Sequence, residues 1–172
     1  MLNIIDDATK RCLAAAVDSS ISGRRVVREL EALVARHGRP DLVVRDNGTE
    51  FTSTAVLAWC AETGIAWHYI APGKPMQNGI GEAFNGRMRD GLLNETLFRS
   101  LDHARDCVGD RVEDCNTARP HSALGYLSPA AHAATLTATG ARLRNPDQLR
   151  RAPVAPPAGN RQTQAAALLS AG

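Results

Sequence analysis

Apolar residues change their period along the chain, and each change marks an element. Leu2-Asn3-Ile4-Ile5 and Cys12 to Val17 are two short apolar runs on either side of Asp6-Asp7-Ala8-Thr9-Lys10-Arg11, the arrangement of a hairpin. From Ser22 the period lengthens to that of a helix. Val26, Val27, Leu30, Leu33 and Val34 share one face, Arg24, Arg25, Arg28 and Glu31 lie outside, and Gly38 and Pro40 stop it at about His37. Asp41 to Arg45 reads as a buried strand running into an Asn47-Gly48 turn. Ser53 to Thr63 reads as a helix ended by Gly64, and Ile65 to Ala71 as another strand. Pro72 to Gly79 is a polar Gly/Pro-rich loop leading into a helix from Ile80 to about Leu93. At 100° per residue, Ile80, Phe84, Met88 and Leu92 fall on one side of it and Glu82, Asn85 and Arg89 on the other. Leu101, Ala104, Val108, Val112 and Cys115 mark a last amphipathic helix. After about Thr139 the text becomes Ala, Pro, Arg and Gln, which cannot build a core. Residues 140–172 are therefore expected to be a disordered tail, with at most a little helix at the very end.

Length and charge narrow this picture. A chain of 172 residues is one domain, here 1–139, with the tail to spare. The net charge of +2 is unevenly spread. Residues 1–140 hold 15 Lys/Arg against 17 Asp/Glu, while 141–172 hold five Arg against Asp147. The core alone is thus expected to bind polyanions weakly, because phosphate affinity comes from cations. No apolar run is long enough for a membrane span and no signal-type segment opens the chain, so a cytoplasmic protein with no membrane partner is expected. Cys12, Cys60, Cys107 and Cys115 form no close CxxC pair and read as reduced, buried thiols. The loop before Glu82 lacks a GKS/T ending, so a nucleotide-binding P-loop is not supported.

The candidate chemistry rests on two carboxylates. Asp46 sits at the end of a strand, where ligand sites in α/β sheets gather, and Glu82 sits one turn into a helix, away from its apolar stripe. Taken singly, each has an ordinary explanation, an Asp-Asn-Gly turn and an exposed glutamate. Asp6 and Asp7 read as hairpin-turn residues, since Asp routinely bonds turn backbone. Trp59, Trp67 and Tyr69 read first as core filler.

Asp46 and Glu82 are separated by 35 residues. Their flanks read Arg45-Asp46-Asn47-Gly48-Thr49-Glu50-Phe51 and Gly79-Ile80-Gly81-Glu82-Ala83-Phe84-Asn85. Downstream stands Asn116-Thr117-Ala118-Arg119-Pro120-His121-Ser122-Ala123-Leu124-Gly125-Tyr126-Leu127-Ser128-Pro129. In order and spacing these blocks resemble the DDE transposase and retroviral integrase superfamily, in particular the bacterial insertion-sequence transposases, although Cys115 stands where that family usually has Tyr.

The resemblance, over roughly residues 2 to 134, implies an α/β, RNase H-like integrase core: a five-stranded mixed sheet in the order 3-2-1-4-5 flanked by helices. It implies Asp46 and Glu82 as catalytic residues and ligands of two Mg²⁺ or Mn²⁺ ions, which assist the in-line displacement of DNA cutting and joining. The family's first Asp, on its first and central strand, lies upstream of the segment matching Leu2 to Asp7. This chain is therefore expected to lack that strand and that ligand, as an N-terminally truncated fragment inactive by itself. The alternative expectation is a non-catalytic remnant that binds DNA or pairs with intact transposase. Implied partners are double-stranded DNA, at transposon ends and target, and further copies of the chain on DNA. Lys74, Gln77 and Asn78 are candidates for contacts to DNA phosphate or bases. Asn85 and Arg89 are candidates for supporting the metal site or gripping phosphate. Arg119 and His121 are either DNA contacts or part of a packed closure of the domain.

Overall fold

The computed structural model describes residues 1–45, 49–70, 79–138 and 167–171. The hairpin forms as the pattern requires, β1 (Leu2–Asp6) running antiparallel to β2 (Cys12–Ala16). Asp6 builds its turn: the carboxylate accepts hydrogen bonds from the Ala8 and Thr9 amides at 3.3 and 3.2 Å and from the Thr9 hydroxyl. Lys10 adopts a left-handed φ of 61° and pairs with Asp7 at 2.7 Å. Both acids are thus engaged in the turn.

Register slips between Ile4 and Ile5, which face Ala14 and Cys12, so Leu13 is the extra residue of a bulge. The bulge leaves the backbone of Cys12 in need of partners. Asn116 of α4 (Leu101–Thr117) supplies them, its Oδ1 accepting from the Cys12 amide and its Nδ2 donating to the Cys12 carbonyl, both at 2.9 Å.

Helix α1 (Gly23–His37) starts where Ser22 Oγ accepts from the Arg25 amide and ends at Gly38 with φ 85°. β3 (Leu42–Arg45) is followed by a 3₁₀ turn at Thr49–Thr52 and by α2 (Thr54–Thr63), which Ser53 caps and Gly64 closes in the left-handed region at φ 63°. β4 (Ala66–Tyr69) pairs parallel with β3. Helix α3 (Gly79–Met88) widens into a π turn over Arg89–Leu93, where the Asn94 amide bonds the Arg89 carbonyl at 2.9 Å. A 3₁₀ turn at Ser122–Leu124 and α5 (Pro129–Ala138) follow α4.

The main departure from expectation is at the other end of the chain. Residues expected in a tail form β5 (Ala167–Ala171), and the sheet order is β2-β1-β5-β3-β4. β5 runs antiparallel to β1, from Leu2↔Ala171 to Asp6↔Ala167, and parallel to β3, from Val43↔Ala167 to Arg45↔Leu169. The central position expected to be vacant therefore holds the last strand of this chain. Ala-Leu-Leu-Ser-Ala favours helix locally, since Ala and Leu are good helix formers, but propensity is a weak prior. Two facing strand edges offer the backbone of β5 partners along β1 over all five residues and along β3 over Ala167–Leu169, more than a single short helix turn can offer. The rest of the expected tail, 139–166 and 172, lies outside the described residues.

Alternation along the strands divides the core between the two sheet faces. Leu2, Ile4 and Val43 join Val26, Leu30 and Leu33 of α1 and Val56 and Trp59 of α2 on one face. Ile5 and Val44 join Phe84 and Met88 of α3 and Val108 of α4 on the other. Trp67 packs against the first cluster, in keeping with the filler reading of both tryptophans. Burial beneath α4, with the Cys115 thiol close by, pushes the Cys12 thiol up to about 12.

Candidate active site

Glu82 lies in the first turn of α3 and is exposed. An acid there faces the positive end of the helix dipole. The helix is anchored by Phe84 and Met88, 5% and 1% exposed, so the Glu82 side is turned from the core, with Asn85 half-buried and Arg89 exposed. Glu82 and Arg89 thus lie on the outer face that the sequence separates, whereas Asn85, expected there with them, turns to the sheet and bonds buried Asn3.

A polar contact sets the helix against the sheet. Asn3 is fully buried on β1 and its Nδ2 donates to Asn85 Oδ1 at 2.6 Å. Asn3 is level with Ser170 of β5, while Arg45, the last residue of β3, is level with Leu169. The Asn3–Asn85 bond therefore sits one register step past Arg45, at the carboxyl edge of β3. The hairpin turn with Asp6 and Asp7 lies at the opposite edge, which separates those acids from this site. α3 also packs across β5.

Asn3 passes unremarked in the sequence because one Asn among apolar strand residues has no signature. Arg45 is likewise missed. It is fully buried, and its guanidinium lies 3.4 Å from the ring centre of Tyr69 and 5.7 Å from that of Phe51. Tyr69, 38% exposed, is thus a lid on a buried cation rather than plain filler. The Arg-Asp dipeptide at the end of an apolar strand was the available signal, since a buried arginine costs too much without partners to be incidental.

Arg119, exposed, and His121, half-buried, stand in the closing loop after α4. The Arg119 guanidinium bonds Asp114 at 2.5 Å, the His121 amide bonds the Leu127 carbonyl, and the Tyr126 amide bonds the His121 carbonyl, each of the latter two at 3.0 Å. Both side chains border a cavity of about 380 Å³ with Lys10, Phe84, Arg87 and Tyr126. Desolvation there holds the His121 imidazole below its usual pKa, and the positive charges of Arg87 and Lys10 lower it further.

Asp46, Lys74, Gln77 and Asn78 lie outside the described residues. Among the described residues no group of three or more His, Cys, Asp and Glu stands ready to hold a metal ion. The donor present, the exposed carboxylate of Glu82, suits a hard cation that takes oxygen ligands. No helix among the described residues is long and apolar enough to cross a membrane.

Residues 1–75 and 63–129 match two models of the integrase core domain. Over 133 residues the chain is 46% identical to an uncharacterized 39.2 kDa protein of insertion element IS476 from Xanthomonas euvesicatoria, covering 77% of this chain and 38% of that protein. It is 44% identical over 138 residues to an uncharacterized 31.7 kDa protein of IS407 from Burkholderia multivorans, covering 80% and 50%. It is 29% identical over 109 residues to the transposase for IS904 from Lactococcus lactis, covering 61% and 43%. The chain thus spans half or less of the length of these curated relatives. In fold it is similar to the HTLV-2 integrase catalytic core domain, solved in complex with magnesium in a trimeric form. The TM-score is 0.56 at 15% identity, over 76% of this chain and 82% of that one. A mixed sheet flanked by helices, with a glutamate-bearing helix across the carboxyl edge of β3, is therefore an RNase H-like fold, and the chain belongs to the integrase core domain family, with relatives among the proteins of bacterial insertion elements.

Proposed function

We propose that the chain is the catalytic core portion of a transposase that cuts DNA and joins its 3′ hydroxyl to a new phosphate. The observation that carries this reading is the placement of Glu82. It is exposed in the first turn of a helix that a part-buried Asn3–Asn85 bond holds at the edge where β3 ends. Val43 and Val44 alternate between the two faces of β3, so the α3 face is the expected one for residue 46. Asp46 and Glu82 are the residues that would hold Mg²⁺ or Mn²⁺. The bound ions would stabilise charge on the attacking and leaving oxygens. Arg89, on the Glu82 side of α3, and Asn85 would orient DNA phosphate, together with Lys74, Gln77 and Asn78 from the loop before α3. Arg119 and His121 would add contacts from the closing loop. Several copies would act together on double-stranded DNA.

The chain on its own is proposed to be inactive. The central strand Ala167-Leu168-Leu169-Ser170-Ala171 carries no carboxylate, and Asp6 and Asp7 are held in a turn at the far edge. This observation also favours a second reading, in which the chain acts without catalysis by binding DNA or pairing with an active transposase. The test is a Mg²⁺- or Mn²⁺-dependent strand-transfer assay on labelled element-end DNA. It compares the chain, a version extended upstream of Met1, and Glu82→Gln in that version. Activity in the extended protein that falls by more than about 100-fold in Glu82→Gln supports catalysis, since outer-shell partners of a metal site cost only about 10–100-fold. Activity indifferent to Glu82→Gln overturns the assignment. DNA binding with no activity in any version favours the second reading.

A further inference from the structure

The last strand of the chain is the middle strand of the sheet. β5 is hydrogen-bonded along β1 on one side and β3 on the other, and among the described residues no other element joins the β1–β2 hairpin to the β3–β4 pair within the sheet. Neighbouring strands lie about 4.8 Å apart, so with β5 withdrawn β1 and β3 would stand about 9.6 Å apart, too far to bond each other. Both inner edges would then carry unpaired amides and carbonyls between two apolar core layers. β1 and β3 are among the most deeply buried segments of the molecule, Leu2, Ile4 and Val43 being fully buried.

The partners that β5 finds are far away in sequence. Its pairs join residues 167–171 to residues 2–6 and 43–45, and no local turn enforces them. Residues 139–166 connect β5 to α5. A long connection of this kind adds little closure cost, because that cost grows only with the logarithm of length. Recognition along β5 is backbone pairing on both edges, the mode by which an extended peptide adds to a sheet, here doubled.

We propose that the slot between β1 and β3 is a peptide-strand binding site, occupied by this chain's own residues 167–171, and that its occupancy assembles the candidate active site. α3 packs across both β1 and β5, and among the described residues β3 joins β1 within the sheet through β5, while Val44 of β3 meets Phe84 and Met88 of α3 in the core. A docked strand therefore ties the helix of Glu82 to the strand that leads into Asp46. An empty slot leaves the two halves of the site on separate strand pairs. The ligand the slot takes is a five-residue extended segment running parallel to β3 and antiparallel to β1. The consequence for the active site rests on the function proposed above, whereas docking itself does not.

Hydrogen exchange of the full chain, read by mass spectrometry on peptides covering β1 and β3, tests the proposal in three arms: unaltered, Leu169→Pro, and Gln162→Pro outside the strand. Proline in a central strand removes a ladder bond and blocks pairing. Leu169→Pro should lower protection of residues 2–6 and 42–45 by at least about 10-fold, and Gln162→Pro should leave it unchanged. A synthetic peptide of residues 165–172 added to the Leu169→Pro chain should restore protection, and the same peptide carrying proline should not. This rescue distinguishes an emptied slot from a chain that has merely misfolded. Equal protection of β1 and β3 in all three arms overturns the proposal, as does a Leu169→Pro chain that the unaltered peptide cannot rescue. The readout contains neither metal nor DNA, so an inactive protein with a rescued sheet would count against the proposed function alone.

Discussion

The bond from Asn3 to Asn85 makes an asymmetric prediction. Asn3 is fully buried and its Nδ2 donates at 2.6 Å to Asn85 Oδ1, while its own Oδ1 is buried with no hydrogen-bond partner among the described residues. Asn85 is only half-buried and has a further partner. In Asn85→Ala, the Asn3 carboxamide stays in the core with nothing to bond. Stranding a buried polar group costs about 1–3 kcal/mol. In Asn3→Ala both buried polar atoms leave together and Asn85 turns to water, so the cost should be about 1 kcal/mol or less. The more exposed residue is thus the more damaging one to remove. For a domain of this size each kcal/mol lowers the melting temperature by about 2–4 °C, so a loss of about 2 kcal/mol in Asn85→Ala means about 4–8 °C. Urea unfolding followed by the fluorescence of Trp59 and Trp67 provides the free energies, and a double-mutant cycle isolates the pair from the other interaction of Asn85. Asn85→Ala should cost about 1–2 kcal/mol less in the Asn3→Ala background than in the unaltered protein. Additivity within about 0.3 kcal/mol would refute the claim that this contact holds α3 to the sheet.

Asn116→Ala removes both bonds to the bulged Cys12 backbone and should cost about 2–4 kcal/mol by urea unfolding, because a buried amide and a buried carbonyl are stranded together. Since His121 has a folded pKa below its ordinary 6.5, the unfolded chain binds the proton more readily. Its contribution to stability should be whole above pH 6.5 and be lost as pH falls through the lowered folded pKa. Urea unfolding across that range should show the dependence in the unaltered chain and less of it in His121→Gln. Glu82→Gln should leave thermal unfolding essentially unchanged, as expected of an exposed helix position; a large loss of stability would mean that the glutamate is structural.

Much of this protein is decided by short-range chemistry. The period of Val26, Leu30 and Leu33, the caps at Ser22 and Ser53, and the stops at Gly38 and Gly64 depend on neighbours within a few residues, so the elements and the outward face of Glu82 could be read directly. The turn role of Asp6 is local for the same reason. The spacing of Asp46 and Glu82 and the Arg119-Pro120-His121 block were legible only as a pattern shared with a family, since each residue alone is ordinary. Tertiary structure decided what depends on partners distant in the chain. Asn3 and Asn116 have no local signature, because one bonds a helix 82 residues away and the other a strand 104 residues away. Arg45 is buried with the rings of Tyr69 and Phe51 against its guanidinium, contacts that no local pattern announces. β5 is the clearest case: nothing within Ala167–Ala171 calls for a strand, and its conformation is set by two facing edges more than 120 residues earlier in the chain. A strand is stabilised by pairing rather than by its own sequence, and pairing is a property of the assembled sheet.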